Sequence, residues 1–497
     1  MVERLKIETI GLHSVPPEQK QTHWLEYAII QMAFSVNAGN FLVPALAVLE
    51  GGLPFHWAIL SILFGTALAF LFVSIMSLPG ARHGLPAQYL VRTMIGTKFA
   101  RYFASPIRSL TSLYWFSVQT IGGTYVILML VERTFSIRLP FYMVSVSLAV
   151  IMALLALIGF DAVKRATKWF LPFLLIGQIM MLALFIQEGS SQSLVGDKGS
   201  FQVASFLFFA SLGFVQYVSG VSASSDITRY SRSPKHGAFG LFVGNFVGLT
   251  MTSVLAAFSA TLYQSNNPFI SASQLTNSSI LLFFISMCAL VSMISINLSN
   301  AYTGGYSLLN AIPSLGRVGS ASVFGFLGVT LSLFPIIVEE AKWFISGLGA
   351  FIIPISAIII SDYVWKKQLH LSEKDLETLA NGHYHWNKDA LVTVLVATPL
   401  YFLLPESTSP GFAVFLFSGA MYVILNSKSK SQSGYHEEIV KRTVYVKRQF
   451  FPFLFVFFCF FLFVVGIRLS YYTTSISTLY LPCNLFYCGI NIREIFF

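Results

Sequence analysis

The sequence predicts an all-α polytopic membrane protein with twelve transmembrane helices. Three observations carry that prediction. Of 497 residues, 55% are hydrophobic and only 10% are charged, where soluble domains carry roughly 25% charged residues. The apolar residues come in repeated uncharged runs of about 20, the length that crosses a hydrocarbon layer at 1.5 Å per residue. The basic residues gather in alternate connections between those runs, as they do in membrane proteins of fixed orientation.

In chain order the spans are expected at 25–49, 53–78, 107–131, 139–159, 169–187, 201–225, 237–263, 279–308, 319–338, 341–361, 389–404 and 411–425. With the N-terminus in the cytoplasm, the outside connections hold Arg133, Arg138, Lys198 and Lys342, and most other Lys and Arg fall inside. The formal charge of +10 is therefore read as topology, and no nucleic-acid partner is expected. Residues 1–24 form a polar cytoplasmic N-terminus without an apolar signal core, so the first span is expected to direct its own insertion. Residues 25–425 form one membrane domain whose partner is the lipid bilayer. Residues 426–497 are a basic linker and a hydrophobic extension, in which 450–467 reads equally as a thirteenth span or as a Phe-rich tail without a functional part. The sequence leaves the oligomeric state open.

Metal and enzyme chemistry find little support. Cys288, Cys459, Cys483 and Cys488 show no ligand spacing, and the nine His avoid the span centres. Acidic residues and His are too dispersed for an acid–base pair. No cofactor is expected. Nor does any carboxylate stand at mid-depth, where a proton relay would place one.

Two spans break the rule that backbone in hydrocarbon must be helical. The first contains "SVNAGNFLVP" (35–44), and the sixth contains "YVSGVSASS" (217–225). One such break is explained by small-residue packing. Two breaks five spans apart match a pair of five-span repeats of inverted topology, with both first helices broken around a midplane site. The eighth span adds "SMISINLSNAYTGGYS" (292–307), where Ser292, Ser295 and Ser299 share a helix face. Such hydroxyls either bond back to their own helix or join the broken first span in an oxygen cage for a small cation. The candidate cage is Gln31, Phe34, Ser295 and Ser299. In the third span, "LYWFSVQTIGG" places Trp115 and Gln119 four residues apart on one face. Trp115 lies roughly eight residues inside the span, below an interfacial belt. A flat apolar plate beside an amide suits a small planar polar ring; a helix contact with Gln as polar glue is the alternative.

These motifs resemble the nucleobase:cation symporter-1 family, and within it the purine–cytosine permeases, over residues 14 to 425. The resemblance rests on "GARHGLPAQYLVRTMIG" (80–96), "WFSVQTIGG" (115–123), "SSDITRYSRSP" (224–234), "NLSNAYT" (297–303) and "FIIPISAIIISDYVWKK" (351–367), in order and at the right spans. It implies the five-plus-five, LeuT-like transporter fold with broken helices 1 and 6 and two C-terminal helices. It implies uptake of a nucleobase, cytosine or a purine, across the cytoplasmic membrane by alternating access coupled to Na⁺ or H⁺. Trp115 would stack on the base and Gln119 would bond its edge, with Ser35, Asn297 and Asn300 as further polar contacts. The family's second aromatic would fall at Tyr217 in one register and at Gly220 in another. Where sodium-coupled members carry a Ser/Thr pair on the eighth span, this chain has Ser299 and Asn300. Arg92, Asp226, Arg229 and Asp362 would anchor loops and the inner gate. Allantoin, a hydantoin or a thiamine precursor is the alternative substrate, and a membrane sensor that has lost transport is the alternative class.

Overall fold

The computed structural model describes residues 12–156, 160–192, 201–381 and 385–430. The hydrophobic run 450–467 lies outside the described residues. Each of the twelve expected spans contains helix. Among the described residues, eight helices are long and apolar enough to cross a membrane, and nine when the bent pair Trp24–Ser35 and Ala38–Leu49 counts as one. The fourth, eleventh and twelfth spans are Phe141–Ala156, Lys388–Leu403 and Pro410–Lys430, whose apolar stretches are shorter.

Two boundaries differ from expectation. The ninth helix stops at Leu331, not at 338, because Pro335 disfavours helical backbone before it; a short helix, Ile336–Glu339, follows. The third span begins near Thr97, not 107. Helix runs from Thr97 through a π-turn at Ala100–Ala104 and on to Phe135. The connection before it is also ordered. The second helix, Phe55–His83, ends at Gly84 with φ +69°, a conformation open to glycine. Short helices Ala87–Leu90 and Arg92–Ile95 follow.

Helix packing follows the inverted repeat. The first span packs on the seventh, and the sixth, its repeat equivalent, packs on the second. The second and seventh pack on each other, as do the third and eighth and the fourth and ninth. Exchanging repeat-equivalent spans maps this set of contacts onto itself, which is the mark of two five-span units related by a pseudo-two-fold. Small residues allow the close approaches. A Cβ on Gly65 of the second span would stand 1.8 Å from the Ala210 carbonyl oxygen of the sixth, so these helices meet backbone to backbone.

Both expected breaks are present and their backbone groups are satisfied by side chains. The first helix ends at Ser35 and a second starts at Ala38, bent by 61°. Asn37 is extended and caps the second half by accepting from Asn40 N at 2.9 Å. Its own amide donates to the Phe34 carbonyl, and Asn40 Nδ2 and Thr252 Oγ1 donate to the Ser35 carbonyl at 2.7 and 2.9 Å. The two Asn that disfavour a continuous helix are thus the groups that make its interruption tolerable. In the sixth span, helix Val203–Val218 passes through a 3₁₀ turn at Ser219–Ser222 to a short helix Ser224–Thr228. There Gln88 Nε2 donates to the Ser222 carbonyl at 2.9 Å and Arg108 Nη1 to the Ser219 carbonyl at 3.2 Å.

Candidate functional site

A cavity of about 160 Å³ lies between the two breaks. Its wall includes Gln31, Phe34, Ser35 and Asn40 from the first span, Arg108, Trp115 and Gln119 from the third, Gln216, Tyr217 and Gly220 from the sixth, and Ser299 and Asn300 from the eighth. An apolar cavity of about 150 Å³ accepts benzene, so the space suits one small ring. Of the residues expected to touch substrate, Trp115, Gln119, Ser35, Asn300, Tyr217 and Gly220 all line it.

Gln119 is held in place by the broken first span. Its Nε2 donates to Asn37 Oδ1, and its Oε1 accepts from Gly39 N at 3.3 Å. A Cβ at Gly39 would stand 2.6 Å from Gln119 Nε2 and 3.1 Å from the Trp115 ring. Glycine there lets the backbone of the first span lie directly against both side chains. Gln216 joins the same group, donating to Asn40 Oδ1 at 3.2 Å. Amides from the third and sixth spans therefore converge on the start of one half-helix.

The aromatic side of the cavity is asymmetric. Tyr217 meets Phe70 edge-on at 4.9 Å, and Trp115 meets Tyr114 edge-on at 4.8 Å. Tyr217 and Gly220 both reach the wall, one turn apart, so the two registers left open by the sequence address the same surface. Among the described residues, the buried Tyr217 hydroxyl, Ser224 Oγ and Arg108 Nε have no hydrogen-bond partner, and all three residues line the cavity. Buried polar groups are paired as a rule. All three unpaired atoms are closed to water, so they lie behind the cavity surface that their residues help to form.

Asn297 and Ser295 stand elsewhere. Asn297 turns to the third span, donating to the Phe116 carbonyl at 3.0 Å and to Thr120 Oγ1 at 3.2 Å. It accepts from Asn300 Nδ2 at 3.1 Å, so it orients Asn300 and does not line the cavity. Ser295 bonds back to the Val291 carbonyl at 2.7 Å, the ordinary behaviour of a serine in a membrane helix. Gln31, Phe34 and Ser299 do reach the cavity. The Phe34 carbonyl accepts from Asn37 Nδ2 and keeps a second lone pair, whereas the Gln31 carbonyl takes both its helical bond and Ser35 Oγ at 2.7 Å and is filled. Among the described residues no group of three or more His, Cys, Asp or Glu could hold a metal.

The four expected anchors lie off the cavity and tie connections together. Asp226 Oδ1 accepts from Ala87 N at 2.7 Å, fixing the connection between the second and third spans to the sixth-span break. Arg92 donates to Asn310 Oδ1 and stacks on Tyr89. Asn310 donates to Ser105 Oγ at 2.8 Å, and Ser105 to Gln88 Oε1 at 2.9 Å, which completes a chain of bonds from the eighth span to the Ser222 carbonyl. Arg229 is fully buried and donates to the hydroxyls of Tyr230, Tyr302 and Tyr306. Asp362 accepts from the Tyr422 hydroxyl at 2.7 Å and pairs with Lys366 at 3.5 Å. Farther into that connection, burial works to raise the Asp375 pKa, but hydrogen bonds from Lys367 and Ser372 outweigh it and hold the carboxyl below its ordinary value.

Sequence reasoning missed four wall residues: Gln216, Asn40, Arg108 and, from the seventh span, Asn245. Gln216 carried a usable signal: a lone amide in "FVQYV", just before a Gly/Ser break. Arg108 was hidden by the span boundary. Placed at the edge of an apolar window it looks like a topological charge, whereas it stands eleven residues along a helix that starts at Thr97, about 16 Å at 1.5 Å per residue.

Comparisons with known proteins fit this architecture. A family profile described as permease for cytosine/purines, uracil, thiamine, allantoin matches residues 14–425. The allantoin permease of Bacillus subtilis (strain 168) is 23% identical over 421 residues, covering 75% of this chain and 82% of its own. The purine-uracil permease NCS1 of Arabidopsis thaliana is 22% identical over 416 residues, covering 78% of this chain and 69% of its own. Among solved structures, Mhp1, a nucleobase-cation-symport-1 family transporter in a closed conformation with bromovinylhydantoin bound, aligns with a TM-score of 0.70 at 17% identity. That alignment covers 87% of this chain and 98% of Mhp1.

Proposed function

The chain belongs to the nucleobase:cation symporter-1 family, the permeases for cytosine/purines, uracil, thiamine and allantoin, and on that premise we propose that it imports one small planar heterocycle through the cavity beside Trp115. The protein is a multi-pass membrane transporter and not an enzyme. The observation that carries the substrate reading is the cavity wall itself: an indole plate and amides from the first, third, sixth and eighth spans. In this reading the ring stacks on Trp115, Gln119 and Asn300 read its edges, and Tyr217 covers the far side. Substrates such as cytosine, a purine, uracil, allantoin or a hydantoin share that shape, and edge hydrogen bonds choose among them. A site that pairs a buried N–H or carbonyl rejects an analogue lacking it far more strongly than an apolar pocket rejects a missing methylene.

The broken first and sixth helices support alternating access, with the two repeats rocking around a fixed site. The charge asymmetry of the connections supports a cytoplasmic N-terminus, and uptake from outside the cell would place the carrier in the plasma membrane. For the coupling ion, the carbonyls of Gln31 and Phe34 with Ser299 supply oxygens to Na⁺ only if Ser35 and Ser295 both turn from their own helices; otherwise H⁺ drives uptake. Radiolabelled uptake of a panel of bases, allantoin and hydantoin tests both points. The expected result is saturable uptake of at least one ring that falls when the coupling gradient is removed. Accumulation unaffected by both Na⁺ replacement and a protonophore would exclude cation coupling.

A further inference from the structure

Arg108 is the charged residue on the cavity wall, and the proposed stacking and edge contacts leave it without a task. It lies seven residues before Trp115 and eleven before Gln119, so all three share one helix face. Its Nη1 donates to the Ser219 carbonyl at 3.2 Å and its Nη2 reaches Thr303 Oγ1 at 3.5 Å. Its Nε is closed off from the cavity, so the Nη groups of this partly exposed side chain are what a guest would meet. No carboxylate lies within ion-pair distance among the described residues.

A guanidinium offers five N–H donors and no acceptor, and it stays charged. Two bonds to the sixth and eighth spans leave the rest of that fork unused. A charge at membrane depth is costly to keep and marks a substrate or ion path. The other polar groups on the wall, the amides of Gln119, Gln216 and Asn300 and the hydroxyls of Tyr217 and Ser224, can each donate or accept. Arg108 alone among these has a fixed sense.

We propose that Arg108 reads an oxygen acceptor on the substrate, so that the carrier prefers heterocycles presenting a ring carbonyl or anionic oxygen over those presenting an exocyclic amine at the same position. This rests on the heterocycle reading above and narrows it. An exocyclic amine would set donor against donor beside a fixed positive charge. A carbonyl would complete the fork with a charge-assisted bond, which corresponds to about a tenfold to hundredfold preference.

Matched pairs test it: uracil against cytosine and hypoxanthine against adenine, with allantoin as a ring bearing carbonyls. Initial uptake rates and KM are measured for the wild type, Arg108→Gln and Arg108→Lys at equal membrane abundance. The wild type is expected to favour the carbonyl member of each transported pair at least tenfold in kcat/KM; uptake of carbonyl-only rings is the limiting form of that result. Arg108→Gln should lose most of the carbonyl substrate and little of the amine, so the ratio collapses, and Arg108→Lys should restore part of it. Wild-type preference for the amine members overturns the proposal without any variant. Equal loss of both members in Arg108→Gln also overturns it, because a mere tie between helices has no sense of donor or acceptor. In those two cases the heterocycle reading stands. Absence of uptake and binding for every ring in the wild type removes that reading and this one together.

Discussion

Gln119→Ala is expected to abolish heterocycle uptake while the protein reaches the membrane in undiminished amount. Two losses combine. The substrate loses an edge partner, and Gly39 N loses its acceptor at the start of a half-helix, leaving a buried donor unpaired at a cost of about 1–3 kcal/mol. The fold does not depend on this contact alone, because Asn37 and Asn40 still satisfy the carbonyls of the break. Trp115→Ala should act separately. Base–aromatic stacking is worth about 1–3 kcal/mol per base, or roughly a 5- to 150-fold rise in KM, and Trp115→Phe should recover part of it. Initial-rate uptake with surface-abundance blots checks both. Normal transport of every ring by Gln119→Ala would show that this amide is helix glue and no more.

The second large effect is expected at Asp226. Its carboxylate accepts from Ala87 N and so links the sixth-span break to the connection between the second and third spans. Neighbouring bonds reinforce the link: Ser225 Oγ donates to the Met76 carbonyl at 2.8 Å and Thr228 Oγ1 to the Ser77 carbonyl at 2.9 Å. A hydrogen bond to a charged group contributes about 1.5–3 kcal/mol. Losing it should shift the balance between closed and open states at that end about 10- to 150-fold. Asp226→Ala should therefore cut uptake at least tenfold, mainly in kcat, with substrate affinity in binding assays little changed. Asp226→Asn keeps an acceptor without the charge and should fall between. Equal uptake by all three proteins would remove Asp226 from the gate.

Some of this site was legible in the sequence and some was not, for specific reasons. Trp115 and Gln119 stood out because polar and aromatic groups are conspicuous inside an uncharged run. The two breaks stood out because Asn, Gly and Ser cluster where helix should continue. The eighth span was harder. Asn297 and Asn300 are three residues apart, and that offset sends one to the Phe116 carbonyl and the other to the cavity; one sequence does not say which. Ser295 and Ser299 share a helix face, yet Ser295 bonds to its own helix. Arg108 was invisible for a different reason. Its meaning depends on a helix that begins in a polar connection and on a carbonyl freed more than a hundred residues later. Hydropathy reports neither.

The central claim is that the cavity beside Trp115 is the transport site for a planar heterocycle. Counterflow in reconstituted vesicles tests it most directly, since exchange of label needs binding and translocation but no coupling gradient. Vesicles preloaded with unlabelled ring are expected to draw in the labelled form of at least one of the bases, allantoin or hydantoin, and Trp115→Ala vesicles to exchange several-fold more slowly with the ring held below the wild-type KM on both sides. Binding without exchange in the wild type, as a sensor would give, or full exchange by Trp115→Ala, would contradict the account.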